Sequence, residues 1–171
     1  MASVLVGKEI RRKEDHKHIT GRAQFVDDIL LPNTAYLSFA RSPYAHANIL
    51  KIDTSKAANN PDFLAVLTGE EAAKLAKPLP VYVYRAAREV RAPEYRALAY
   101  KKTRYYGEPV AAIVTSERYE TEEITELVQV EYQALPVILD AEKAMQKGSP
   151  LIDDKIDDNV GIYIKRESDN V

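Results

Sequence analysis

The sequence predicts an α+β domain, and three features of it carry that expectation. Short apolar runs of strand length recur, but only two segments show sustained helical spacing. A basic, tyrosine-rich stretch without periodicity separates the two halves of the pattern. Neither GxGxxG nor GxxxxGK[ST] occurs, so a doubly wound nucleotide-binding sheet loses its main support.

Residues 1–19 are polar and aperiodic, which predicts an extended arm. Pro32-Asn33 breaks the chain after the apolar group Ile29, Leu30 and Leu31. Ala35 to Ala40 reads as a strand that Pro43 ends, and Asn48 to Asp53 as a second. Thr54 or Ser55 is placed to cap a short helix that Asn59-Asn60-Pro61 terminates. Phe63 to Leu67 is a compact apolar strand. Thr68 and Glu71 then form a T-x-x-E capping box, opening a helix through Leu75 that stops before Pro78.

Residues 78–106 read as a long connection with strand fragments, and a connection of that length is expected to be functional or partner-bound. Val110 to Val114 is a buried strand by length and apolarity. Ser116 is the expected cap of the next helix, along which Ile124, Leu127 and Val128 share a face. Val128, Val130 and Tyr132 alternate with Gln129 and Glu131, the period of a strand with one wet face. Asp140 opens a last short helix ended by Gly148, and the tail from Ser149 is acidic and expected to be extended.

Composition narrows the function classes. With 171 residues, 46% hydrophobic and 29% charged, the chain is long enough for one domain with a tail. A formal charge of −2 argues against a general attraction to nucleic acid or anionic membrane. The absence of cysteine excludes thiolate zinc sites, disulfides, cysteine nucleophiles and cysteine-ligated clusters within these residues. No signal-like or membrane-length apolar run is present, and the expected location is the cytoplasm.

Each chemical constellation has a plainer alternative. His16 and His18 lack a third metal ligand at usable spacing, and a solvated arm is the better reading. His46, in Arg41-Ser42-Pro43-Tyr44-Ala45-His46, has the right reference pKa for a general base but no nucleophile motif beside it; a buried structural histidine is favoured. Asp27-Asp28, Asp153-Asp154 and Asp157-Asp158 lack both the arrangement for acid–base work and the glycine of a calcium loop. Glu108 reads as a turn carboxylate paired with an arginine rather than a catalytic acid.

The stretch from Tyr82 to Tyr106 carries more information. It sets Arg85, Arg88, Arg91, Arg96, Lys101, Lys102 and Arg104 against only Glu89 and Glu94, with Tyr82, Tyr84, Tyr95, Tyr100, Tyr105 and Tyr106 interleaved. Such a mixture stacks bases and neutralises phosphates, but equally suits a protein interface. A surface for an acidic partner is expected here, with Arg41, His46, Arg85, Arg88, Arg91, Arg96, Tyr105 and Tyr106 as its candidate residues. No catalytic, cofactor-binding or metal-binding residue is assigned.

Six stretches, in order and spacing, resemble the N-terminal domain of the molybdopterin-binding large subunit in the xanthine dehydrogenase, aldehyde oxidase and aerobic carbon monoxide dehydrogenase family. They are TGRAQFVDDILLP at 20–32, RSPYAHANILKIDTSKA at 41–57, LAVLTGEE at 64–71, YYGEPVAAIV at 105–114, RYETEEITELVQVEYQALPVILDAEKAM at 118–145 and PLIDDKIDDNV at 150–160. The resemblance implies an α/β-hammerhead fold: a mixed sheet with two main helices and extended N- and C-terminal segments. It places an arm at 1–19, the hammerhead at 20–148 and an acidic tail at 149–171.

For the parent complex the resemblance implies an oxidoreductase with a molybdopterin cofactor, [2Fe–2S] clusters and FAD. The implied partners are the remaining large-subunit domains, an iron–sulfur subunit and an FAD subunit. The family often has histidine where Tyr44 stands, so only His46 matches that motif. The expected function is a structural and assembly domain, inactive alone, either excised or separately encoded. The alternative is a free-standing module that binds an acidic protein or single-stranded nucleic acid. A weaker third reading, a hydrolase, needs Glu108 and His46 within reach of one substrate position.

Overall fold

The computed structural model describes residues 7–80, 87–91 and 93–164, with residues 87–89 described by backbone alone. The chain divides into two compact units, 1–34 and 35–171. In the first, a five-residue helix α1 (Asp15–Ile19) stands where an extended arm is expected. Its C-terminal Thr20 hydroxyl donates to the carbonyl of His16 at 2.6 Å, satisfying a carbonyl the short helix leaves open. A single 3-10 turn, Val26–Asp28, follows, closed by the Phe25 N–H donating to the Asp28 carboxylate at 2.9 Å. Neither helical segment buries a residue.

The second unit holds the strands β1 (Tyr36–Arg41), β2 (Ala47–Asp53), β3 (Phe63–Thr68), β4 (Ala87–Val90), β5 (Lys102–Thr103), β6 (Pro109–Thr115), β7 (Gln129–Ala134) and β8 (Ile162–Ile164). Helices α2 (Ser55–Ala58), α3 (Gly69–Leu75), α4 (Glu120–Glu126) and α5 (Ala141–Ala144) punctuate them. The strands form sheets of order β1-β6-β3, β5-β2-β7 and β4-β8. The α+β class is therefore the observed one. The expectation of a mixed sheet is refined: every described ladder runs antiparallel.

β6 is the axis of the core. Val110, Ala111, Ala112 and Ile113 are all buried, as befits a central strand covered on both faces, and α4 lies against β1 and β6 with Ile124 fully enclosed. Ala40, Ala57 and Ala99 complete the buried cluster, and Ile49, Phe63, Val66, Val128 and Val130 pack around it. Small residues there let the sheets and the 98–99 segment approach closely.

Local signals are realised with two corrections. The Thr68–Glu71 box forms, with the Thr68 N–H donating to Glu71 Oε2 at 2.9 Å and the Glu71 N–H returning to Thr68 Oγ1 at 3.4 Å. Asp140 caps α5 by accepting the Lys143 N–H at 2.9 Å. Ser116, however, does not cap α4. Its hydroxyl donates instead to Asp62 Oδ1 at 2.8 Å, tying β6 to the start of β3, and α4 begins at Glu120, its N-cap residue Tyr119 making no side-chain cap. At α2, Thr54 makes no capping bond, and Asp53 Oδ1 accepts from both the N–H and the hydroxyl of Ser55.

The tail is the larger correction. Residues 149–161 are not extended but folded as a loop pinched by Asn159, whose backbone is left-handed at φ 59°. Its Oδ1 accepts the Ile152 N–H at 3.0 Å, and its Nδ2 donates to the carbonyls of Ala144 at 3.0 Å and Pro150 at 2.9 Å. Ile156 and Asp153 are buried, and β8 then pairs with β4.

Candidate partner interface

The basic stretch meets this loop. Arg91 donates to Asp157 at 3.3 Å and Asp158 at 2.9 Å, Lys102 to Asp154 at 2.7 Å, and Arg104 Nη2 to Asp153 at 2.9 Å. Glu94 accepts from both Arg96 at 2.8 Å and Lys155 at 2.6 Å. Thus the aspartate pairs, read from the sequence as solvated charge, are the counter-ions of the basic stretch. The carboxyls of Asp154, Asp158 and Glu94 sit below their ordinary range, each chiefly through the hydrogen bond from its cation: Lys102, Arg91 and Lys155 respectively.

Of the sequence-predicted interface residues, Arg91 and Arg96 lie in this network. Arg85 and the side chain of Arg88 fall outside the described residues. Arg41 forms a second corner with the exposed Tyr105 and Tyr106: its Nη1 donates to the Gly107 carbonyl at 3.0 Å and its guanidinium lies 5.6 Å from the Phe39 ring centroid. His46 does not belong to a surface. It is buried, and its Nδ1 lies 2.8 Å from the Pro136 carbonyl oxygen. A carbonyl only accepts, so Nδ1 donates to it, and the buried Nε2 has no hydrogen-bond partner among the described residues. His18 tilts against Phe25, ring centroids 5.5 Å apart.

Glu108 is buried at the turn before β6, where its Oε2 accepts the Arg104 N–H at 2.6 Å. Among the described hydrogen bonds, none joins it to His46. Burial raises the Glu108 carboxyl above its ordinary 4.5, outweighing the Arg104 N–H and charge. The proton therefore binds the folded chain more tightly, and the stability it contributes is present below the ordinary carboxylate value and lost as pH rises through the raised one. Glu108→Gln keeps an acceptor for the Arg104 N–H without the charge. It should raise stability at pH 7 by about 1 kcal/mol or less and lose that advantage at pH 4, as read by urea unfolding at both pH values.

The donor chemistry does not fit a metal or iron–sulfur centre. The sequence has no cysteine, and no three histidine or carboxylate side chains converge among the described residues. Nor is there a backbone cradle of glycines open to a cofactor: Gly69, the one glycine whose Cβ position is obstructed, is pressed against the chain's own Ala99 carbonyl.

The antiparallel β1-β6-β3 and β5-β2-β7 sheets, with short helices and an irregular basic connection, are those of an α/β-hammerhead domain. The chain belongs to the family described as aldehyde oxidase and xanthine dehydrogenase, a/b hammerhead domain, which matches residues 20–136. It is 40% identical to the carbon monoxide dehydrogenase large chain of Afipia carboxidovorans over 91% of its own length and 18% of that relative's. Among solved structures, a Cu,Mo-CO dehydrogenase in its carbon monoxide reduced state superposes with TM-score 0.74 and 35% identity, covering 91% of this chain and 19% of that one. Quinoline 2-oxidoreductase from Pseudomonas putida 86 gives 0.79 and 32%, covering 88% and 19%. The chain thus spans less than a fifth of the length of these relatives. No described helix is long and apolar enough to cross a membrane.

Proposed function

We propose that this chain serves as the structural and assembly domain that leads the large subunit of a molybdenum hydroxylase, with residues 20–148 as its hammerhead, and that it turns over no substrate alone. The mismatch of lengths supports this reading: the match runs over 91% of the chain but only 18% of the carbon monoxide dehydrogenase large chain. Asp153 and Asp154 are tied to structural cations, Arg104 and Lys102.

In this reading the molybdopterin cofactor, [2Fe–2S] clusters and FAD of the parent oxidoreductase are held by the remaining large-subunit domains, an iron–sulfur subunit and an FAD subunit, in the cytoplasm. The contribution of this chain is shape. Leu37 and Leu64 on the outer strands of the β1-β6-β3 sheet, with Tyr105 and Tyr106 beside Arg41, are exposed and available for burial against those domains.

The test is co-expression with the Afipia carboxidovorans carbon monoxide dehydrogenase large chain from which the matching part has been deleted. The two polypeptides should co-purify and elute as one species on gel filtration. Failure to associate removes the proposal.

A further inference from the structure

The basic stretch presents a cradle for paired carboxylates, and that cradle is already filled. Its occupant, the loop 149–161, is closed on itself by the hydrogen bonds of Asn159 to Ile152 and Pro150, and a third, to the Ala144 carbonyl, ties it to α5. It therefore holds its own shape and presents Asp153, Asp154, Asp157 and Asp158 to Lys102, Arg104 and Arg91. Gly148, at φ +88°, and Gly161 flank it, and the Cβ position of each faces open space.

The part-buried Arg104–Asp153 pair is the firm tie between this loop and the rest of the unit, and the outer pairs are weak. Asp157 and Asp154 have side chains 93% and 77% exposed, the range in which ion pairs contribute little. Among the described residues the β4-β8 ribbon shares no ladder with the two larger sheets, and two strands alone are marginal in water. Only Asp153 and Ile156 of the loop's carboxylate-bearing turn are buried.

We propose that the loop is an exchangeable plug, and that the cradle of Arg91, Lys102 and Arg104 takes in its place another polypeptide loop carrying adjacent carboxylate pairs. Such a ligand reproduces the geometry the cradle already holds. Nucleic acid fits less well. The Tyr100 ring is occupied by Arg96 and Lys101, at 5.9 and 5.2 Å from its centroid, which leaves that platform unavailable for base stacking.

The exchange is testable on the chain alone, so its outcome does not depend on the assembly reading above. A fluorescent peptide of sequence SPLIDDKIDDNVG is titrated against the full chain and against the triple variant Asp154→Asn, Asp157→Asn, Asp158→Asn. The variant should bind the peptide at least tenfold more tightly than the unaltered chain, and 0.5 M salt should abolish the difference. Equal affinity for both proteins, no binding to the variant, or tighter binding of oligothymidylate than of the peptide would overturn the proposal. Hydrogen exchange of the unaltered chain gives a second readout that needs no variant. Excess peptide should speed exchange at Ile162–Ile164, and unchanged rates at those amides under saturating peptide would also count against it.

Discussion

Gly69→Ala should lower the stability of the chain by roughly 3 kcal/mol, a fall in Tm on the order of 10 °C. A Cβ on Gly69 would lie 1.8 Å from the carbonyl oxygen of Ala99 and 2.7 Å from its carbon. Those atoms are backbone and cannot swing aside. Leu98 and Ala99 are buried, and the Ala99 N–H donates to the Pro109 carbonyl at 2.7 Å, so moving the segment would disturb the edge of β6. Helix propensity argues the other way, since alanine is favoured over glycine in a helix by about 1 kcal/mol. The steric conflict is the larger quantity and decides the sign. Thermal unfolding followed by circular dichroism checks it, and a Tm that stays or rises would show that α3 and the 98–100 segment are not in contact as described.

Gly69 also marks the limit of what the sequence reveals. Thr68 and Glu71 announce the start of α3 because a capping box is a local device, complete within four residues. The same holds for Asp140 before α5, and for β6, whose unbroken apolarity reports burial on both faces. The reason for a glycine after Thr68 lies thirty residues away, at Ala99, and no local pattern encodes it. Ser116 fails for a related reason. As a cap candidate it has the right chemistry, but Asp62, brought alongside by the pairing of β3 with β6, captures its hydroxyl first.

The basic stretch shows the same division between local and distant information. Its lack of helical or strand period is legible, and so is its excess of cations over carboxylates. What a linear reading misses is that the aspartates 49 to 67 residues further on are the partners of Arg91, Lys102 and Arg104. The complementary order of the two series was the available signal: Arg91, Lys102 and Arg104 against Asp158, Asp154 and Asp153 run in opposite directions along the chain. Antiparallel docking of two segments, as realised in the β4-β8 ladder, requires that reversal. His46 is the counterexample in which the plainer reading prevails: the histidine beside small residues is a buried ring fixed by a carbonyl.

Ile113→Ala should cost about 4 kcal/mol, whereas Leu37→Ala should cost under about 1 kcal/mol. Both residues are large aliphatics in strands of the same sheet, Leu37 in β1 and Ile113 in β6, so hydrophobicity and strand propensity do not separate them. Burial does. Ile113 is fully enclosed in a cluster with Val110, Ala40 and Ile124, so its removal leaves a cavity that the sheet cannot close, while Leu37 is 56% exposed and leaves none. Urea midpoints of the two variants give the comparison directly. The same pair then separates folding from docking. If Leu37 lies on the face that the large-subunit domains cover, Leu37→Ala weakens co-purification with them although its own unfolding midpoint barely moves. Ile113→Ala reduces association only in proportion to its loss of folded chain, and restoring the folded fraction at lower temperature restores the complex. Equal unfolding midpoints for the two variants would contradict the placement of β6 at the centre of the core.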